Sequence, residues 1–176
     1  LYINDTDIGY LPYVESWING RTSETEKSYL PDLFDRYLNK VIEFFSTTKM
    51  EHIIPISILN VVQSLCLILD GLLKSSNCAD QPSAIERMFV YSTVWAFGGA
   101  LTSDKQQDNR KNFSTFLKSL FTKGFKFPDA GLVFDYFIDF SSGEVMLWSD
   151  KLYSYAAASG DGFQSSIFVP TTNTIR

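Results

Sequence analysis

The chain has 176 residues, enough for one domain with a core that needs no staples, and its 45% apolar and 20% charged residues are ordinary for a globular protein. A net charge of −5 with scattered Lys and Arg excludes nucleic-acid binding as the main task, because no basic field exists to attract phosphates. Aromatic residues reach 15%, which points to an aromatic-rich core or interface.

Leu1–Ile3 reads as a short strand, and Asn4–Asp7 with Gly9 as a turn cluster. Pro12 suits the first turn of a helix running to about Ile18 and stopped by Asn19-Gly20. The clearest helix follows, with Leu30, Leu33, Phe34, Tyr37, Leu38, Val41, Ile42, Phe44 and Phe45 at three- and four-residue spacing. Ser57 is a candidate N-cap for Ile58–Leu73, which is apolar on more than half its circumference and therefore buried on several sides. Pro55, Asn60, Gln63 and Asp70 interrupt this apolar run, so it is read as a core helix and not a membrane span. No secretory signal pattern is present.

Ser83 to Glu86 has capping-box spacing and opens a helix through Met88, Phe89, Trp95 and Phe97. Gly98-Gly99 either weakens its last turn or lets another backbone come close. Ser103 to Gln106 repeats the spacing before a helix carrying Phe113, Phe116, Leu117, Leu120 and Phe121. Lys126–Gly131 breaks helicity. Leu132–Asp139 and Glu144–Trp148 read as strands joined by Ser141-Ser142-Gly143. Ala156–Gly162 is small and flexible, and Ile167-Phe168-Val169-Pro170 is a final extended stretch. The expected fold is mainly α, a bundle of about five helices with a C-terminal β-hairpin extension.

Little in the sequence carries chemistry. His52 is the only histidine, and no nucleophile elbow accompanies it, so it reads as a loop-end residue. Neither G-x-x-x-x-G-K-S/T nor G-x-G-x-x-G occurs, and Gly160-Asp161-Gly162 is a poor imitation. Cys66 and Cys78 lack metal or redox spacing, and Cys66 lies in an apolar run as a buried thiol. Asp135 and Asp139 share a face at strand spacing, which allows a metal or acid–base pair but better suits a charged strand edge. Arg87 is either a surface residue or, in an ATPase lid, one that reaches a phosphate. Trp17 and Trp148 are core or interface.

Several strings together resemble one family. They are Leu1-Tyr2-Ile3, Asp7-Ile8-Gly9-Tyr10, Pro12-Tyr13-Val14, Ser16-Trp17-Ile18, Leu33-Phe34-Asp35-Arg36-Tyr37 and Val94-Trp95-Ala96-Phe97-Gly98-Gly99-Ala100. Further on come Lys126-Phe127-Pro128, Val133 to Asp139, Trp148-Ser149-Asp150-Lys151 and Val169 to Arg176. In this order they resemble dynein heavy chains, axonemal ones of the outer-arm beta class above all, just after the core of the second AAA+ module.

The resemblance implies a map. Residues 1–9 would end the preceding AAA+ core and form a hinge, and 10–124 would be a helical lid. Residues 125–165 would be a hairpin extension and linker, and 166–176 the N-terminal loop of the third module. Phe168, Val169, Pro170 and Thr171 would then lie beside the third module's nucleotide, the alternative being a linker packed on the lid. Catalytic residues and metal ligands are expected to be absent from the chain, with ATP or ADP and Mg bound by the parent. Expected partners are the neighbouring AAA+ modules and, through the parent, the microtubule and dynein light and intermediate chains; neither nucleic acid nor membrane is expected. The expected location is the cytoskeleton of the axoneme, in cilia or flagella. The competing reading is a free-standing helical interaction module.

Overall fold

The computed structural model describes residues 9–48, 50, 52–53, 55–77, 80–102, 108–122, 124–139 and 141–151. The first helix, α1 (Leu11–Asn19), carries Pro12 in its opening turn, where its missing N–H costs nothing, and ends at Gly20, whose N–H bonds the Ser16 carbonyl at 3.1 Å. The long helix begins earlier than periodicity suggests, at Glu24 instead of about Leu30. Ser23 caps it by accepting the Glu26 N–H at 3.4 Å, and Glu24 and Glu26 suit the positive end of its dipole.

This helix runs as α2 (Glu24–Leu33), a π segment (Phe34–Leu38) and α3 (Asn39–Thr48). Pro31 lies inside it and cannot donate to the preceding turn. The wider π turn follows directly, and Leu33, Phe34, Tyr37, Leu38, Val41 and Phe45 all reach the core.

Ser57 caps α4 (Ile58–Ser75) by accepting the Asn60 N–H at 3.2 Å. By length and composition this helix could cross a membrane, but Val62, Leu65, Cys66 and Leu69 are wholly buried in the protein core. Its main neighbour is α5 (Pro82–Gly98). Here the expected capping box is absent. Pro82 takes the first helical position, Gln81 makes no side-chain cap, and Ser83 falls inside the helix. The helix is buried on nearly all sides, and its Ser92 and Thr93 hydroxyls donate to the carbonyls of Met88 and Phe89 at 2.8 and 2.9 Å.

Asp108 caps α6 (Asn109–Leu120) by accepting the Lys111 N–H at 3.0 Å; the cap expected at Ser103 lies outside the described residues. The hairpin is shorter than expected: β1 (Tyr136–Ile138) pairs antiparallel with β2 (Val145–Leu147). Residues Val133–Asp135 form a 3-10 turn instead of strand, because Gly131 has φ +62° and the Asp135 carboxylate accepts the Leu132 N–H at 2.7 Å. A second 3-10 turn, Trp148–Lys151, follows β2.

One apolar cluster joins every helix to Phe127, Val133, Phe134, Tyr136 and Ile138 of the hairpin region. Aromatic pairs knit it together, including Phe34–Phe89 (5.1 Å between centroids), Tyr37–Phe121 (4.6 Å) and Phe45–Phe97 (5.2 Å). Gly98 has a specific task in it. A Cβ there would lie 2.6 Å from the Phe134 ring and 2.8 Å from Phe113. The close approach foreseen at Gly98-Gly99 is therefore made by an aromatic side chain, not by a backbone.

Candidate functional site

The second turn of α5 carries two adjacent charged residues that face different parts of the molecule. Glu86 is 4% exposed. Its carboxylate accepts the Tyr37 hydroxyl at 3.2 Å and lies 3.7 Å from the Arg36 guanidinium, which also bonds Asp32. Gly124, with φ +83°, passes directly over it, and a Cβ there would stand 2.2 Å from the carboxylate. Glu86 therefore ties α5 to the π segment and to the chain leaving α6.

Arg87 is the second joint. Its guanidinium donates to the Gly143 carbonyl at 3.2 Å and pairs with Glu144 at 3.2 Å, both at the hairpin turn. Only 23% of its side chain is exposed. The surface reading of Arg87 is thus replaced by a clasp on the hairpin. The turn it holds is built by Asp139, whose carboxylate accepts the Ser142 N–H and hydroxyl at 3.0 and 2.9 Å, and by Gly143 at φ +67°. Those Ser142 bonds hold the Asp139 carboxyl below its ordinary range.

Asp135 and Asp139 consequently form no pair. Each is committed to its own turn. Among the described residues, no group of three or more His, Cys, Asp or Glu is placed to hold a metal.

A third constellation surrounds Arg21, in the α1–α2 turn. Its guanidinium bonds Glu26 at 2.6 Å, bonds Asp70 of α4, and lies 4.9 Å from the centre of the Trp17 ring. Lys74 adds a bond to Asp70 at 2.5 Å. Lys74 first, and Arg21 after it, hold the Asp70 carboxyl below its ordinary range against the opposing effect of burial. A surface cleft of about 600 Å³ opens here, lined by Trp17, Arg21, Leu67 and Lys74 among others.

The remaining candidates fall into place as structure. His52 stacks on Phe45 at 5.5 Å, and its backbone bridges to Leu101. Burial pushes its imidazole below the ordinary histidine value, against a hydrogen bond with the Met50 backbone, and Nε2 has no partner among the described residues. Cys66 is wholly buried, and burial pushes its thiol up to about 12. Trp17 packs edge-on to Phe34 at 6.1 Å, whereas Trp148 is 42% exposed over Phe137. Phe168, Val169, Pro170, Thr171 and the hinge residues before Gly9 lie outside the described residues.

Sequence reasoning missed Arg21 and Glu86. Their partners stand 49 positions away, at Asp70 for Arg21 and at Tyr37 for Glu86, so no local spacing announces them. For Glu86 the only signal is a charge inside an otherwise apolar segment, which in a folded core must find a partner, whereas Arg21 lies in a polar stretch that gives none.

Among the described residues these bonds join helix to helix and helices to hairpin, and comparison with known proteins gives the chain a family. Residues 30–150 match the family model described as the dynein heavy chain AAA lid domain. The chain is 42% identical over 154 residues to the ciliary dynein beta chain of Tripneustes gratilla, covering 86% of this chain and 3% of that protein. It is 38% identical over 178 residues to dynein axonemal heavy chain 9 of Homo sapiens, and 32% identical over 180 residues to the flagellar outer-arm dynein beta chain of Chlamydomonas reinhardtii, in each case over its full length and 4% of the relative. The chain thus spans a few per cent of these relatives, and it belongs to the dynein heavy chain AAA lid domain family.

Proposed function

We propose that this chain is a non-catalytic lid and coupling segment of an axonemal dynein heavy chain, joining the second and third AAA+ modules of an ATP-driven ring that moves along microtubules in cilia or flagella. The observation that carries this reading is the double joint at the start of α5. Glu86 fastens the helix to the π segment and Arg87 fastens it to the hairpin, so a displacement at one end of the unit is passed to the other. Relatives named as ciliary, axonemal and flagellar dynein chains support the setting. The neighbouring modules of the same chain are its immediate partners. Microtubules and the light and intermediate chains belong to the parent.

The sequence has no phosphate-cradling glycine loop, and ATP or ADP with Mg is held by the parent chain. Phe168, Val169, Pro170 and Thr171 are proposed to lie beside the nucleotide of the following module, on the strength of the resemblance of the 169–176 string.

Two measurements test this. The parent gene should encode G-x-x-x-x-G-K-S/T about 20 residues beyond Arg176, in a strand–loop–helix setting. Its absence would remove the assignment to the junction of the second and third modules. Calorimetry of this chain with Mg-ATP should give no measurable heat of binding, and tight binding would contradict a non-catalytic lid.

A further inference from the structure

Lys118 lies in the last turn of α6, where a lysine ordinarily answers the unpaired carbonyls of its own helix end. Its ammonium reaches elsewhere. It donates to three successive carbonyls of the segment leading to the hairpin, those of Asp129 at 3.0 Å, Ala130 at 3.2 Å and Gly131 at 2.7 Å. An ammonium has three N–H donors and no acceptor, so three carbonyls at ordinary hydrogen-bond distances match its full capacity. Successive carbonyls seldom converge in this way. In a helix they run parallel to the axis, and in a strand they alternate sides. Here they meet at one point, with Gly131 at φ +62° in the bend. Gathering three negative dipole ends is unfavourable unless a cation lies among them, as when carbonyl oxygens replace the water shell of an ion. Neutral carbonyls suit a monovalent ion, whereas calcium and magnesium draw on carboxylates.

We propose that the carbonyls of Asp129, Ala130 and Gly131 form a receptor for one monovalent cation of ammonium or potassium size, that the Lys118 ammonium is its resident ion, and that this ion seats the hairpin on the bundle. The surroundings suit that task. The Ala130 carbonyl also accepts the Tyr136 hydroxyl at 2.7 Å, which ties the receptor to the first residue of β1. Val133 N–H donates to Ser114 Oγ at 3.0 Å, and Ser114 stands one turn before Lys118 on the same face of α6. Two neighbouring side chains of one helix therefore grip the segment just before Phe134, the ring that packs at Gly98. With Arg87 on the Gly143 carbonyl, a cation holds the hairpin at its turn and another at its approach. Carrying the ion on a side chain makes this seat independent of the ions in solution. The site belongs to the chain itself and does not depend on its place in a ring.

The test follows hydrogen exchange of backbone amides in this chain at fixed pH. In Lys118→Ala the Leu132 and Val133 amides should exchange at least about tenfold faster, while those of α4 keep their rates. Ammonium or potassium chloride should restore slow exchange to this variant. Tetramethylammonium chloride at the same concentration should not, because that ion is too large for the three carbonyls and donates no hydrogen bond. Lys118→Met keeps an aliphatic stem without the charge and should lose protection as Lys118→Ala does. Unchanged exchange in both variants would overturn the proposal. So would acceleration that neither ammonium nor potassium reverses, or equal recovery in tetramethylammonium, which would reduce the effect to ionic strength. Lost protection in Lys118→Ala with full protection in Lys118→Met would overturn it as well, by assigning the seat to the stem and not to the ion.

Discussion

At the scale of single residues, the fold depends on a few positions where ordinary chemistry leaves no slack. Gly98 is one. Gly98→Val would drive a branched side chain into the Phe134 and Phe113 rings, which already lie within 2.8 Å of an added Cβ. Overpacking of this kind costs about 1–3 kcal/mol, and the loss should appear as a lower denaturant midpoint with an unchanged slope. Arg21 is another. Arg21→Met leaves Glu26, whose side chain is 8% exposed, without its guanidinium. Removing one partner of a buried pair costs about 3 kcal/mol. The same cluster sets an acid dependence. The Asp70 carboxyl is held below its ordinary value of 3.8, so the stability it contributes is fully present above that pH and is lost as pH falls through the lower folded value. Asp70→Asn should flatten the decline of melting temperature below about pH 4, and an unchanged decline would show that other carboxylates dominate it.

At the scale of elements, what the sequence announced and what it concealed divide by the range of the forces. Helix interiors are visible because burial imposes a period, as in Leu30 to Phe45 and Ile58 to Leu73. Ends capped by a single side chain are visible too, as at Ser57. The start of α5 was misread because Pro82 performs by backbone geometry what Ser83 would have done by a side chain. Strand β1 was overextended because Leu132 to Asp135 has apolar content that suits a strand, while one Asp135–Leu132 bond turns it. The joints at Glu86 and Arg87 were concealed altogether, since their partners are brought in by the fold. They make a prediction of their own. Arg87→Met keeps the aliphatic stem but removes the bonds to Gly143 and Glu144. It should cost about 1–2 kcal/mol and speed exchange of the Phe137 and Met146 amides more than those of α4. Equal acceleration everywhere would mean that the clasp supports the whole core and not the hairpin in particular.

At the scale of the molecule, the proposed coupling role requires a unit that moves as one piece, and the packing supplies a reason why it should. The apolar cluster does not stop at the bundle. Phe127 packs 6.4 Å from Phe121, Phe134 packs 5.8 Å from Trp95, and Gly98 gives Phe134 its seat on α5. The hairpin has only two short strands and could not hold together alone. Its stability is borrowed from the helices, so it should be lost when they are lost. The three tryptophans are placed to show this, with Trp17 in α1, Trp95 in α5 and Trp148 after β2. Variants that keep one tryptophan at a time, the others replaced by Phe, should report the same midpoint and the same slope in urea, because a single cooperative unit exposes all its surface in one transition. An earlier transition at Trp148 would split the hairpin from the bundle, and a unit that yields at that joint could not carry a displacement from the long helix to the hairpin.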